Sequence, residues 1–263
     1  MSTIGFIGTG RISAAMIDGL AKTVGHTDQV WISPRNAILA KALKTRHAHV
    51  EIAKDNQEII DHCETIVISV RPQIVSEVLS ELCFKPNQIV ISLVATLSIE
   101  QLKELIKVPV ALNRAVPLPF VENQRDTTLV YPKATPHCRD LFNRLGQIIE
   151  IEDINLLNVF TVASAMMGTY FSLLDNLSLW MQEKGVEEGD AKLYLSNLFN
   201  ELGHIAKQPT SFAHLQDEYS TPGGLNERMA KSFLNADTQS HLFGALNQLL
   251  ATVTNNALAN TKK

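Results

Sequence analysis

Short apolar runs rich in β-branched residues alternate with helix-spaced segments through the first 150 residues. The runs are Ile4-Gly5-Phe6-Ile7, Gln29-Val30-Trp31-Ile32, Thr65-Ile66-Val67-Ile68-Ser69-Val70, Ile89-Val90-Ile91-Ser92-Leu93 and Val108-Pro109-Val110-Ala111-Leu112. Between them, Ile12 to Thr23, Asn36 to Thr45, Asn56 to His62, Val75 to Leu82 and Ile99 to Ile106 carry helical spacing. Alternation of this kind predicts βαβ units and a parallel sheet, and near-continuous apolar strands predict helices on both of its faces. A strand over Thr127 to Tyr131, a helix over Pro136 to Leu145 and a last strand over Ile148 to Ile151 close this half.

From about Asp153 the strand pattern stops. Ala163 to Lys184 repeats apolar residues every three or four positions (Met167, Tyr170, Phe171, Leu174, Leu177, Leu179, Met181), and Gly185 supplies a stop. Asp190 is read as the cap of a helix running to Lys207. Leu225 to Asn235 and Thr238 to Asn260 follow the Pro222-Gly223-Gly224 break. The predicted fold is α/β: a doubly wound sheet over residues 1–152, then an all-helical domain over 153–263 whose amphipathic faces need a cover.

Composition trims the alternatives. Two modest domains, or one large one, fit 263 residues. With 45% hydrophobic residues the chain is too apolar for disorder, and a net charge of −4 lacks the basic excess of a nucleic-acid binder. No membrane partner is expected either: no stretch offers an uninterrupted apolar span, and the start shows no signal-peptide pattern. The expected setting is therefore the cytoplasm. Charged residues at 19% hint at a buried subunit interface, although a large single core would look the same. Cys63, Cys83 and Cys138 have no metal-ligand spacing and are read as small buried apolar residues. His47 and His49 alternate along a short strand without metal-site character, and no metal is expected.

The most informative motif is Gly8-Thr9-Gly10-Arg11-Ile12-Ser13, directly after the first strand and opening the first helix. Gly8 permits the tight turn, Gly10 lets a pyrophosphate approach the backbone, and Ser13 is small enough for helix–strand packing. The free N–H groups of the helix start, from Arg11 and Ile12 onward, suit phosphate. Arg11 itself either touches a phosphate or is a plain surface arginine. At the end of the second strand, Ser33-Pro34-Arg35-Asn36 has no acid to hold a ribose hydroxyl. Ser33, Arg35 and Asn36 instead suit a 2′-phosphate, which selects NADP over NAD.

With these motifs in view, the chain resembles the pyrroline-5-carboxylate reductase family over nearly its whole length. Val70-Arg71-Pro72-Gln73 is similar to the family's V-K-P-Q. Ile91-Ser92-Leu93-Val94-Ala95-Thr96-Leu97-Ser98-Ile99 is similar to I-S-I-A-A-G-V-S-I, and Ser220-Thr221-Pro222-Gly223-Gly224 to S-S-P-G-G. The resemblance implies a Rossmann domain followed by a helical dimerisation domain that interlocks with a second subunit, giving a homodimer or larger. It implies hydride transfer from NADPH to the C=N carbon of a cyclic imine acid, held between the nicotinamide and the helical domain. Val70, Pro72 and Ala95 would line the nicotinamide end, and the backbone of Ser220, Thr221, Gly223 and Gly224 would hold the substrate carboxylate.

The departures are specific. Arg114 is followed by Ala115-Val116-Pro117-Leu118-Pro119-Phe120 where the family has M-P-N-T-P. Ser164-Ala165-Met166-Met167-Gly168-Thr169-Tyr170 replaces S-G-S-G-P-A-Y. Leu225-Asn226 replaces the last two residues of the family's P-G-G-T-T or P-G-G-A-T, so by the resemblance Asn226 stands where a threonine contacts the imine nitrogen or relays its proton. An amide donates hydrogen bonds but does not relay protons. Tyr170, Glu218, Tyr219, Glu227 and water are the remaining donors; Glu227 reads first as a helix-start acid and Tyr170 as core. Three functions stay open: an imine acid reductase, a paralogue acting on another C=N or C=O substrate, and an inactive NADP-binding regulator.

Overall fold

The computed structural model describes residues 2–25 and 28–260, with side chains described as far as residue 254. Eight strands make one sheet: β1 (Thr3–Ile7), β2 (Gln29–Ile32), β3 (Val50–Ile52), β4 (Thr65–Ile68), β5 (Ile89–Ser92), β6 (Ala111–Val116), β7 (Asp126–Tyr131) and β8 (Gly146–Glu150). Their order is β3-β2-β1-β4-β5-β6-β7-β8. The first six run parallel, joined by α1 (Arg11–Leu20), α2 (Ala37–Arg46), α3 (Asn56–His62), α4 (Val75–Ser80) and α5 (Ile99–Ile106).

Both faces of the sheet are covered, as the apolar strands require. Met16, Ile17 and Leu20 of α1, Leu43 of α2, and Leu141 and Phe142 of α6 (Pro136–Asn143) pack on one face. Ile59 and Ile60 of α3, Leu79 of α4, and Leu102 and Ile106 of α5 pack on the other. Each such buried side chain contributes about 1.5–3 kcal/mol relative to exposure.

Four sequence expectations are corrected here. The strand expected over Val108 to Leu112 is β6 and begins at Ala111: Lys107 ends α5 at φ 63°, and Pro109 has no N–H for a ladder. β7 runs antiparallel to β6, because residues 117–125, with a 3-10 turn over Pro119–Asn123, are too few for a parallel crossover. His47 and His49 are not in a strand. His47 caps the end of α2 and bonds Asp18 at 2.6 Å, and the strand starts at Val50. Cys63 and Cys138 are buried as expected, with both thiols pushed up to about 12 by burial, but Cys83 is exposed.

The helical part holds α7 (Ile154–Ala163), α8 (Met166–Glu183), α9 (Glu188–Ile205), α10 (Phe212–Glu218), α11 (Leu225–Phe233) and α12 (Ala236–Asn260). α7 and α10 were not foreseen, and the cap of α9 is Glu187 rather than Asp190, which lies in its first turn. The chain groups into two compact units, one reaching Thr161 and one over Val162–Ala251, with the end of α12 from Thr252 counted with the first. In the second unit α8 has no buried residue at all, and Phe171, Trp180, Leu193 and Tyr194 are exposed. The stretch Ile154–Glu183 is long and apolar enough to cross a membrane by length and composition, with an 18-residue window of mean hydropathy 1.4.

Candidate functional site

The nucleotide-binding half of the site lies at the carboxyl end of the parallel strands, where β1 and β4 are neighbours and the chain winds outward in both directions. That reversal opens the crevice in which doubly wound sheets take their ligands. Gly8 leaves β1 at φ 106°, and a Cβ there would lie 2.8 Å from the Ser69 carbonyl at the end of β4. Gly10 is the N-cap of α1 and offers no side chain to its N–H groups. A Cβ on Gly10 would meet nothing within 4 Å. Open space in front of an uncapped helix start is what a pyrophosphate needs.

Ser13 does more than stay small. Its hydroxyl bonds the Gly8 carbonyl at 2.8 Å and lies 2.7 Å from the Ser69 hydroxyl, which also reaches Gly8 O at 2.8 Å. These hydroxyls pin the glycine turn between β1, β4 and α1. Ser69 was missed from sequence; its signal was a small polar residue ending an apolar strand beside the switch point.

At the end of β2 the three expected phosphate ligands separate. Ser33 is 1% exposed. Its Oγ accepts the Gly8 N–H at 2.9 Å and bonds Asn56 Oδ1 at 2.5 Å. Its hydroxyl is thus spent on the turn and is not free for a phosphate, which corrects the sequence reading. Asn36 caps α2 and donates to the Thr9 carbonyl at 3.1 Å, tying the β2–α2 turn to the glycine loop. Arg35 is exposed and has no ion pair among the described residues. An unpaired guanidinium beside the ribose end of the crevice fits a 2′-phosphate. Arg11 is exposed and Ile12 half-buried on the first turn of α1. Val70, Pro72 and Ala95 lie on the loops after β4 and β5, Pro72 and Ala95 exposed, on the far side of the switch point from Arg35. The residues present therefore fit a phosphorylated dinucleotide.

The second group of expected residues is assembled within the helical unit. Ser220 to Gly224 form the turn between α10 and α11, with Gly223 at φ 74°. Much of its backbone is already bonded: Gly224 N–H to Thr221 O at 2.8 Å, Ser220 N–H to Asp217 O at 3.2 Å, and Gly223 N–H to Glu227 Oε2 at 2.8 Å. Asn226 donates its amide to Tyr219 O at 2.8 Å. Leu225 is 80% exposed. Gly224 provides no side-chain cap, so the first N–H groups of α11 remain the anion-seeking part of the turn. A cavity of about 350 Å³ opens beside it, lined by Asp217, Ser220, Pro222, Glu227 and Lys231 among others.

The proton-donor candidates sort by geometry. The Lys231 side chain and the Gly223 N–H hold the Glu227 carboxyl below the usual carboxylate range, so it is ionised at neutral pH and is no acid. Tyr170 packs edge-on against Phe171 and Phe199, at 5.2 and 5.8 Å, and is partly exposed.

Residues 3–96 match the family described as NADP oxidoreductase coenzyme F420-dependent. Pyrroline-5-carboxylate reductase 2 of Bacillus subtilis is 23% identical over 237 residues, covering 86% of this chain and 85% of that one. The Pseudomonas aeruginosa pyrroline-5-carboxylate reductase is 24% identical and covers 89% of each chain. By sequence the chain is similar to pyrroline-5-carboxylate reductases over most of its length. The fold agrees. The Coxiella burnetii pyrroline-5-carboxylate reductase superposes with a TM-score of 0.85 at 17% identity, covering 97% of this chain and 98% of that one. The Plasmodium falciparum enzyme with NADP bound superposes with a TM-score of 0.77 at 18% identity, with the same coverage.

Proposed function

We propose that this chain is an NADPH-dependent reductase of a cyclic imine acid, taking pyrroline-5-carboxylate to proline. The observation that carries the reading is the uncapped start of α1 behind the Gly8 turn, with the unpaired Arg35 on its ribose side, in a chain matched nearly end to end by such reductases.

Bound NADPH would supply the hydride for the C=N carbon. The protein's own work is placement. The α1 start holds the pyrophosphate, Arg35 and Asn36 the 2′-phosphate, and Val70, Pro72 and Ala95 the nicotinamide end. The turn at Ser220, Thr221, Gly223 and Gly224, with the first N–H groups of α11, takes the substrate carboxylate. Asn226, whose Nδ2 is given to Tyr219 O, offers its amide oxygen to the N–H of a protonated imine but no proton. The proton therefore comes with the substrate or from water.

We further infer a cytoplasmic homodimer or larger. The apolar face of α8 is uncovered in the single chain, and a second copy of the same face would remove Phe171 and Trp180 from water. The domain division near residue 152 belongs to the same reading, with cofactor on the first part and substrate turn on the second.

One observation favours a neighbouring function. Leu225, 80% exposed, puts an isobutyl group where the family motif it resembles has a threonine or alanine, which suits a greasier C=N or C=O substrate. NADPH oxidation by the purified protein distinguishes the cases. Turnover of pyrroline-5-carboxylate is expected. Turnover only of another cyclic imine or keto acid would establish the paralogue, and NADPH binding without any turnover would establish the regulator.

A further inference from the structure

Arg114 is a buried cation with no carboxylate in contact with it among the described residues. It lies near the end of β6, paired in register with Ser92, the last residue of β5. Only 7% of it is exposed, and no carboxylate pairs with it among the described residues. Its Nη2 donates to the Ala95 carbonyl at 2.7 Å, while its Nε is buried with no partner. Burial pushes its pKa down; Tyr131 and the exposed Glu100 are the nearby groups that oppose this. A buried charge offset only from a distance by Glu100 and an orphaned donor each cost stability, so a residue of this kind needs a reason to stay.

The location supplies the reason. Arg35 marks the adenosine side of the switch point, over β2. The nicotinamide half of a dinucleotide therefore extends the other way, over β4, β5 and β6. The β5–α5 loop, exposed at Ala95 and Thr96, is the part of that side which Arg114 grips from beneath. A fixed positive charge there acts differently on the two cofactor forms, because the nicotinamide ring is neutral when reduced and cationic when oxidised.

We propose that Arg114 is a positioning residue that makes the site discriminate between reduced and oxidised cofactor, favouring NADPH and expelling NADP+. The proposal rests on the cofactor assignment above. Its single charge weakens NADP+ relative to NADPH by roughly threefold to tenfold, as expected across several ångströms at an intermediate dielectric.

The test is equilibrium binding. NADPH is titrated by its own fluorescence and NADP+ by displacement, in the natural protein and in Arg114→Lys, Arg114→Gln and Arg114→Met, with thermal melts alongside. The Kd ratio of NADP+ to NADPH should persist in Arg114→Lys. It should fall threefold to tenfold in Arg114→Gln and Arg114→Met, whatever their melting temperatures. If Arg114→Met does not fold, Arg114→Gln carries the test, since it keeps a donor and drops the charge. An unmoved ratio in the neutral variants, or an equal fall in Arg114→Lys, overturns the role of Arg114 alone. Failure of the natural protein to bind NADPH overturns the cofactor assignment as well.

Discussion

Across the first turn of α11, Glu227 Oε2 accepts the backbone N–H of Gly223 at 2.8 Å. One acid thus closes the turn that the sequence marked as a carboxylate site, with Lys231 holding its other oxygen one helical turn on. The bond makes Glu227 a cap and leaves no proton on it to give.

Its pH dependence follows from the sign of the shift. Folding lowers the Glu227 pKa, so its contribution is complete above the ordinary carboxylate value of 4.5 and fades as the pH falls through the lower folded value. The melting temperature of the natural protein should exceed that of Glu227→Gln at neutral pH. The gap should close on acidification below that value. A gap that stays constant into strong acid would show that the carboxylate is not what holds the turn.

The two glycines of the nucleotide turn should fail in different ways. Gly8→Ala forces a Cβ against the Ser69 carbonyl at a φ of 106°. It should cost about 1–3 kcal/mol in denaturant unfolding. Gly10→Ala enters open space and should fold within about 0.5 kcal/mol of the natural protein, as a surface change does. Its loss should appear as weaker NADPH binding. Normal NADPH affinity in Gly10→Ala would place the pyrophosphate elsewhere.

Arg35→Ala separates the two nicotinamide cofactors. Losing a charged hydrogen bond of about 1.5–3 kcal/mol should raise the Kd for NADPH by about 10- to 100-fold and leave NADH unchanged. Equal weakening of both would remove the phosphate role from Arg35.

Phe171 is 67% exposed and Trp180 59% exposed on α8. Phe171→Glu with Trp180→Glu should leave a lone chain folded but lower the mass in solution. Light scattering reads the outcome: an unchanged mass, or a monomeric natural protein, would refute self-association through this face.

The legible parts of the fold were those set by period. Apolar runs such as Ile66-Val67-Ile68 and Val90-Ile91 read as buried parallel strands because side chains on both faces meet helices. The misplaced strand shows the limit: β6 continues through Asn113 and Arg114, which look like loop residues in sequence. Asn113 is buried only because Pro132 O and Thr135 N–H lie within reach of its amide, a partnership the sequence cannot display. Around the candidate site, the Gly8 turn and the open helix start at Gly10 were readable because turn geometry is local. Ser33 was misread because its hydroxyl partners, Gly8 and Asn56, come from β1 and α3.

The sequence by itself determined the alternation of strands and helices, the nucleotide turn and the change at Leu225-Asn226, since each follows from neighbours along the chain. Tertiary structure decided which polar groups remain free. Hydrogen bonds are exclusive, and a donor's partner depends on what folding brings beside it. That is why Ser33 and Glu227 became parts of the scaffold, while Arg35 stayed exposed without an ion pair among the described residues and Arg114 was left buried with no carboxylate in contact.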